Sequence, residues 1–350
     1  MQETGPGGAC LKTTALSPQI RVKYYQRKQS GAEFSLERVF DTVRRALPPD
    51  IIAEEWGCRF RSRGFVRRLL NLIEAPFHQS DINHVIGDVH YIALLLAKRR
   101  TLLTIHDCVS LHFAKGLAYA RILWFWYRLP GRRVAAITVI SEFSKNELMR
   151  YVHCDPRLVH VIPNPVPAGF VPWPKDFDTK TPVLLQVGTS EHNKNLCRVA
   201  EALRGIPCRV DIIGRLTDRQ RQALENNAIS YTQQSGISDS EVVERYRKCD
   251  MVVFASTYEG FGMPIVEANA TGRPVVTSNI GPMPEVAGSA ACLVDPFDCS
   301  SIREGIVRVI GDADYRSHLV AGGFENVKRF QADVIAAQYA AVYREVFLRR

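Results

Sequence analysis

Two glutamates and a short glycine-bearing loop carry the chemistry most easily read from this chain. In Ser256-Thr-Tyr-Glu-Gly-Phe-Gly-Met-Pro-Ile-Val-Glu267, Glu259 and Glu267 are separated by seven residues, with Gly260, Phe261 and Gly262 between them. Ionised carboxylates only accept hydrogen bonds, which suits them to gripping sugar hydroxyls. Glycines permit close approach of the backbone, and free N–H groups at a helix start cradle phosphate. Taken alone, the same residues also suit an ordinary strand–turn–helix with two solvated glutamates. Lys194, six residues after Gly188, adds a cation at a helix start. A solvated lysine there would be slightly unfavourable against the helix dipole. A better reason for it is charge building on a departing diphosphate, since such electrostatic stabilisation is often the largest catalytic contribution. His106, followed by Asp107, ends the apolar run Thr101–Ile105. A lone histidine is usually structural, but the carboxyl end of a parallel strand is where ligands bind.

These residues need strands that end at a common edge, and the chain supplies them. The first half predicts strands at Ile20–Gln26, 51–55, 82–86, 101–105, 135–140 and 158–162. A helix over Leu36–Leu47 carries Leu36, Val39, Phe40, Val43 and Leu47 on one face, and further helices are expected at 64–77 and 88–98. Five prolines from Pro163 to Pro174 exclude a helix or a central strand. The second half predicts strands at 183–188, 209–214, 229–232, 251–256, 274–277 and 291–294. Thr217-x-x-Gln220 and Ser238-x-x-Glu241 are capping boxes that start two helices. Pro264 suits the first turn of the helix after the glutamate loop, and Gly272 its end. Val334 to Leu348 reads as a last helix with Ile335, Gln338, Tyr339, Val342 and Val346 on one stripe. Strands alternating with helices mean parallel, doubly wound sheets. The expected division is a flexible tail over 1–18, an α/β Rossmann-like domain over 19–165 and a proline-rich linker over 166–178. A second such domain follows over 179–330, and a final helix over 331–350.

The segment E-G-F-G-x-P-x-x-E resembles the donor-site motif of retaining nucleotide-sugar glycosyltransferases of family 4. Thr138-Val-Ile-Ser-Glu-Phe-Ser-Lys145, Val161-Ile-Pro-Asn-Pro165, Val187-Gly188 through Lys194-Asn195, and Pro274-Val-Val-Thr-Ser278 through Pro284-Glu-Val-Ala-Gly288 resemble other family blocks, in the family order. The resemblance covers nearly the whole chain and implies the GT-B fold. In that fold two Rossmann-like domains face a cleft, with the acceptor on the first, the nucleotide sugar mainly on the second, and a C-terminal helix crossing back to the first domain. By resemblance Glu267 holds the ribose hydroxyls, and Glu259 lies near the donor sugar and diphosphate. Lys194 contacts the diphosphate, the amides of Gly260, Phe261 and Gly262 meet sugar or phosphate, and His106 faces the sugar being transferred. The loop around Gly31 corresponds to a glycine-rich family loop near the phosphates, with one glycine where the family has more. The hydroxyl of Ser141 is within reach of the donor. Many family members carry an arginine right after Gly188, where this chain has Thr189; Arg215, just after Gly214, is a candidate substitute.

Composition narrows the partners. The chain has 350 residues, 46% of them hydrophobic, and a net charge of +9. Residues 1–165 hold 24 Lys+Arg against 14 Asp+Glu, the remainder 21 against 22, so the first half carries the net charge. Arg59-Phe-Arg-Ser-Arg-Gly-Phe-Val-Arg-Arg68 and Arg121-Ile-Leu-Trp-Phe-Trp-Tyr-Arg128 interleave cations with aromatics. Such segments lie on an anionic membrane surface, bind nucleic acid, or are helices with a core-facing apolar side and solvated arginines; nucleic acid is the least favoured. Nine cysteines without a C-x-x-C pair argue for free thiols in a reducing cytoplasm. No apolar run approaches the roughly 20 residues that span a bilayer. Asp312-Ala-Asp314 has the form of a metal-holding pair but reads as a helix cap.

The resulting expectation is a cytoplasmic, peripheral enzyme that moves a sugar from a UDP- or GDP-linked donor to a glycan or lipid-linked acceptor, with retention and without a metal or other cofactor. The competing readings are an epimerase or phosphorylase on the same fold, and a nucleotide-sugar binder without turnover.

Overall fold

The computed structural model describes residues 19–28, 35–188 and 192–349. Among these residues twelve strands form two wholly parallel six-stranded sheets. The first joins β1 (Ile20–Gln26), β2 (Ile51–Gly57), β3 (Ile82–Val85), β4 (Thr101–Ile105), β5 (Ala136–Val139) and β6 (Val159–Val161) in the order β2-β1-β3-β4-β5-β6. The second joins β7 (Val183–Val187), β8 (Arg209–Ile213), β9 (Ser230–Gln234), β10 (Met251–Phe254), β11 (Val275–Ser278) and β12 (Cys292–Val294) in the order β12-β11-β10-β7-β8-β9. That second order reverses between β7 and β10, where an open α/β sheet forms its ligand crevice.

Strands covered on both faces read as continuous apolar runs. Every residue of β3, β4, β5, β10 and β11 is buried accordingly. Helix starts follow local chemistry. Both capping boxes form: Thr217 and Ser238 accept from the backbone of Gln220 and Glu241, whose side chains reach back. Asp312 accepts from Tyr315 N–H at 2.9 Å, so the first aspartate of the Asp312–Asp314 pair is a helix cap.

The last helix, Ala332–Leu348, packs on the first domain. Ile335, Ala336, Tyr339, Val342, Tyr343 and Val346 join the core of β1 and the helix Ser35–Ala46. Burying each large side chain is worth roughly 1.5–3 kcal/mol, enough to hold the helix across the boundary. A polar thread reinforces it: Tyr343 Oη lies 2.8 Å from His84 Nδ1, His84 Nε2 lies 2.7 Å from Thr104 Oγ1, and Thr104 lies 2.6 Å from Thr138. Burial holds His84 neutral, its pKa pushed down to about 3.

Two expectations need correction. Residues 88–98 do not form an α-helix; they hold a 3₁₀ turn, His90–Leu94, closed by Ile92 N–H to Val89 O at 3.0 Å and Leu95 N–H to Ile92 O at 3.3 Å. Four consecutive residues, His90, Tyr91, Ile92 and Ala93, are buried, a run that would point all round a helix and so lacks the single apolar stripe of an amphipathic one. The expected helix 64–77 is α only over Phe65–Glu74, with Ala75–His78 wound tighter after Pro76 enters. The tail expected over 1–18 lies outside the described residues.

Candidate active site

β10 delivers the glutamate loop. Gly262 turns the chain at φ 109° into the helix Met263–Thr271, Pro264 sits in its first turn, and Gly272 ends it at φ 78°. A side chain at Gly262 would be strained in φ and would also crowd Ile265 at 3.1 Å. The amides of this loop therefore stand at a helix N-terminus, on the carboxyl side of the strand next to β7.

β7 delivers the cation. Lys194 closes the 3₁₀ turn His192–Lys194, and its ammonium donates to Glu259 Oε1 at 2.7 Å. The two side chains are only 19% and 14% exposed. Gly188, at φ 79°, makes room for the lysine stem; a Cβ there would stand 3.1 Å from Lys194 Cε. The sequence-predicted cation and first glutamate thus meet at the switch between β7 and β10.

Residues that the sequence reading missed hold this pair in place. Asn193 Nδ2 donates to Tyr258 O at 2.8 Å, and Asn193 O accepts from Thr257 N–H at 2.8 Å. Asn195, left-handed at φ 58°, donates to Ala255 O at 2.9 Å and to Pro296 O at 2.7 Å. The two asparagines flank Lys194 and bind its turn to the glutamate loop. The available signal was Asn193-Lys-Asn195 itself, because asparagine tolerates left-handed backbone and bonds neighbouring main chain.

Glu267 lies one helical turn on. Tyr246, fully buried on the neighbouring helix Asp239–Lys248, donates to Glu267 Oε2 at 2.5 Å. Burial pushes the Glu267 carboxyl up to about 7, against the Tyr246 bond and the charge of Arg38, which both pull it down. Arg38 comes from the first domain and pairs with Asp239.

The first domain closes over the loop. His106 is buried, with Nε2 3.1 Å from Ile86 O. A Cβ on Gly260 would stand 2.6 Å from His106 O and 2.9 Å from Asp107 Cβ, so only glycine fits this contact. Burial raises the Asp107 carboxyl to about 6, opposed by a bond from Val109 N–H; nearby Asp88, Glu259 and Glu147 add to the rise. Ser141 Oγ lies 2.9 Å and Ser144 Oγ 3.1 Å from Gly260 O. Ser141 also accepts from Ser144 N–H at 3.0 Å, capping the helix Glu142–Tyr151. Its hydroxyl, expected at the donor, is committed to the loop backbone and the cap. Glu285 on the second domain accepts from the N–H of Glu142 at 2.9 Å, placing a carboxylate at the N-terminus of that first-domain helix. Tyr258 donates to Glu147 at 2.5 Å and stacks on His112 with ring centroids 5.0 Å apart.

Arg215 stands exposed in the loop after β8, whose last residue Ile213 pairs with Val187. Gly31 and Thr189 lie outside the described residues. Among the described residues no group of three or more His, Cys, Asp or Glu is arranged to hold a metal.

The Glu267 environment sets a pH dependence. An ionised carboxylate only accepts hydrogen bonds, so if Glu267 takes the ribose hydroxyls, nucleotide-sugar affinity should rise with pH through about 7 and level off above it. Tyr246→Phe removes a bond that favours the ionised form and should move the midpoint upward. Glu267→Ala should weaken binding by roughly 1.5–3 kcal/mol and flatten the profile. Calorimetry across pH tests all three; a flat wild-type profile with unchanged affinity in Glu267→Ala would remove Glu267 from the donor site.

Comparison with known proteins places these features in a family. A family profile described as "Glycosyltransferase Family 4" matches residues 19–170, and one described as "Glycosyl transferases group 1" matches residues 170–325. The chain is 25% identical over 235 residues to the O-antigen chain mannosyltransferase B of Escherichia coli, covering 59% of this chain and 60% of that one. It is 25% identical over 274 residues to the MMP alpha-(1->4)-mannosyltransferase of Mycolicibacterium hassiacum, covering 70% and 65%. The matches thus span somewhat under two thirds of these relatives' length. Among solved structures, sucrose-phosphate synthase of Thermosynechococcus elongatus superposes with a TM-score of 0.75 at 14% identity, covering 95% of this chain and 100% of that one. HepE of Anabaena, in complex with UDP and glucose, also gives 0.75, at 16% identity, covering 93% and 100%. These likenesses establish the GT-B fold. With both profiles matched end to end over residues 19–325, the chain belongs to the family 4, group 1 glycosyltransferases.

Proposed function

We propose that the protein transfers a hexosyl group from a UDP- or GDP-linked sugar to an acceptor hydroxyl, with retention of configuration. The observation that carries this reading is the meeting of Lys194, Glu259 and the 260–262 amides at the β7/β10 switch point, directly against His106 of the first domain. A cation and a helix N-terminus on one spot favour a diphosphate. The acceptor hydroxyl attacks the anomeric carbon on the face from which the diphosphate departs. The carbon–oxygen bond to the diphosphate breaks as the new glycosidic bond forms, and the acceptor proton passes to the departing diphosphate oxygen. Lys194 and the loop amides take up the developing negative charge, and His106 orients the sugar through hydrogen bonding. UDP in the HepE structure and the mannosyl activity named for both relatives favour a nucleotide-hexose donor. The O-antigen chain relative favours a glycan acceptor; the acceptor in this reading is an envelope polysaccharide or lipid-linked glycan, met at an anionic membrane surface on the cytoplasmic side. Among the described residues no helix is long and apolar enough to cross a membrane.

The test is release of nucleoside diphosphate from a panel of nucleotide sugars, with and without acceptor glycans. Release that depends on acceptor supports transfer; turnover without acceptor supports an epimerase or phosphorylase, and binding without turnover a nucleotide-sugar binder. Activity is expected to survive a chelator, because Lys194 and the helix N-terminus supply the positive charge. An absolute need for added magnesium or manganese would overturn that part of the site.

A further inference from the structure

The helix Phe65–Glu74 is set into the first domain the wrong way round for a soluble protein. Phe65, Val66, Leu69, Leu70 and Ile73 fall on one face at helical spacing, and all five are exposed, Phe65 to 78% and Ile73 to 50%. An amphipathic helix normally turns such a stripe to the core. The buried residue of this helix is instead Asn71. Its amide is fully engaged: Oδ1 accepts from Phe60 N–H at 3.0 Å, and Nδ2 donates to Phe60 O at 2.8 Å and Tyr91 Oη at 3.2 Å. Arg68 adds a bond to Ser62 O at 3.0 Å and lies 4.7 Å from the Trp126 ring. The side bearing Asn71, Arg68 and the partly buried Leu72 is therefore the seat, and the five-residue apolar face is held outward by these contacts.

The Arg68–Trp126 contact joins this helix to a second apolar exposure. Leu117, Trp124 and Phe125 stand out from the segment 116–128, where residues Leu123–Arg128 are wound as a π-helix; Tyr127 faces the core. Wider winding of this kind often marks functional sites. Around both exposures positive charge predominates, the neighbouring acids being Glu74 at the end of the helix and Asp88, which accepts from Trp126 Nε1. Arg59, Arg61, Arg63, Arg67, Arg68, Lys115, Arg121, Arg128, Arg132 and Arg133 lie in segments 59–73 and 115–133, which contain no Asp or Glu. Among the described residues none of these ten forms an ion pair with a carboxylate.

We propose that the outward face of helix Phe65–Glu74, together with Leu117, Trp124 and Phe125, inserts at the surface of an anionic lipid bilayer, with the surrounding arginines on the headgroups. This deepens the membrane-bound acceptor reading above and rests on it. An apolar stripe bordered by unpaired cations matches hydrocarbon beneath negative headgroups. A second copy of the chain would set the same ten cations against each other in a two-fold contact, and a nucleic acid offers no use for five exposed aliphatic and aromatic side chains on a helix. The acceptor would then reach the cleft while its lipid stays in the membrane.

The experiment uses the whole protein and vesicles of phosphatidylcholine alone or equimolar with phosphatidylglycerol. Wild type should co-sediment with the anionic vesicles at low salt and not with the neutral ones. Binding should weaken at least about tenfold as salt shortens the screening length to a few ångströms. Phe65→Ser with Leu69→Gln and Ile73→Gln leaves the charge unchanged and should lose at least about tenfold in vesicle binding, because the lost contribution is apolar area. Arg59→Gln with Arg61→Gln and Arg63→Gln should lose the preference for anionic lipid. Nucleotide-sugar binding, read by calorimetry, should match wild type in both variants, since that site lies on the second domain; this separates failure of the membrane surface from failure of the transferase reading. Wild type that stays in the supernatant with anionic vesicles, or apolar variants that pellet like wild type, would overturn the proposal. A wild-type dimer in light scattering that the apolar variant dissolves would make the face a self-interface instead.

Discussion

Lys194→Ala is expected to lower turnover by about 100- to 1,000-fold, the usual cost of removing one preorganised charge stabiliser, with acceptor affinity little changed. The ammonium is mostly buried, donates to Glu259 at 2.7 Å, and is fixed by a turn that Asn193 and Asn195 tie to the glutamate loop. Two effects act together in the mutant. The cation proposed to meet charge on the departing diphosphate is gone, and Glu259 is left as a carboxylate without its partner near that same charge. Removing one partner of a buried pair costs more than the pair contributes. Lys194→Ala with Glu259→Gln should therefore bind the donor better than Lys194→Ala alone, although neither should recover turnover. Lys194→Arg should keep part of the activity, limited by a wider planar head in the space that Gly188 leaves. Steady-state kinetics with calorimetry separates the outcomes. Near-normal turnover in Lys194→Ala would move the phosphate site, and Arg215 would be the next residue to replace.

Legibility in the sequence followed the range of the interaction. Strands such as Thr101–Ile105 and Met251–Phe254 were legible because burial on both faces leaves an unbroken apolar run. The helix starts at Thr217 and Ser238 were legible because a capping box is complete within four residues. Lys194, Glu259 and His106 could be named because each follows a strand, and parallel strands end at one edge. Tyr246 could not, because it lies 21 residues from Glu267 on a different helix and an apolar-face tyrosine looks like any core residue. Ser144 and Glu285 were missed for the same reason, since their partners lie across the domain boundary. The helix Phe65–Glu74 shows a different limit. Periodicity located this helix but not the side of it that faces the protein. Asn71 decides that, through contacts with Phe60 and Tyr91 that no spacing rule contains.

Gly260→Ala should separate donor binding from catalysis. A Cβ at this position meets the backbone oxygen of His106 at 2.6 Å and Asp107 Cβ at 2.9 Å, both well inside van der Waals contact. The oxygen belongs to main chain at the end of β4 and has no rotamer to move away. Relief must come from displacing the loop or parting the domains by something near an ångström. Either motion stretches the bonds from Ser141 and Ser144 to Gly260 O, which stand at 2.9 and 3.1 Å. It also draws His106 away from Lys194 and Glu259. Misplacement on that scale costs about 100-fold in rate where reacting groups must be held in register. Where the domains part, the donor contacts proposed for Lys194, Glu267 and the 260–262 amides move together on the second domain and stay intact. Calorimetry should therefore return a donor affinity within a few-fold of wild type, while turnover falls by about 100-fold. Gly260→Val should be worse on both counts, and small-angle scattering should show a larger radius of gyration. A Gly260→Ala enzyme with wild-type turnover would mean that the contact between Gly260 and His106 is not the geometry in which the sugar is transferred.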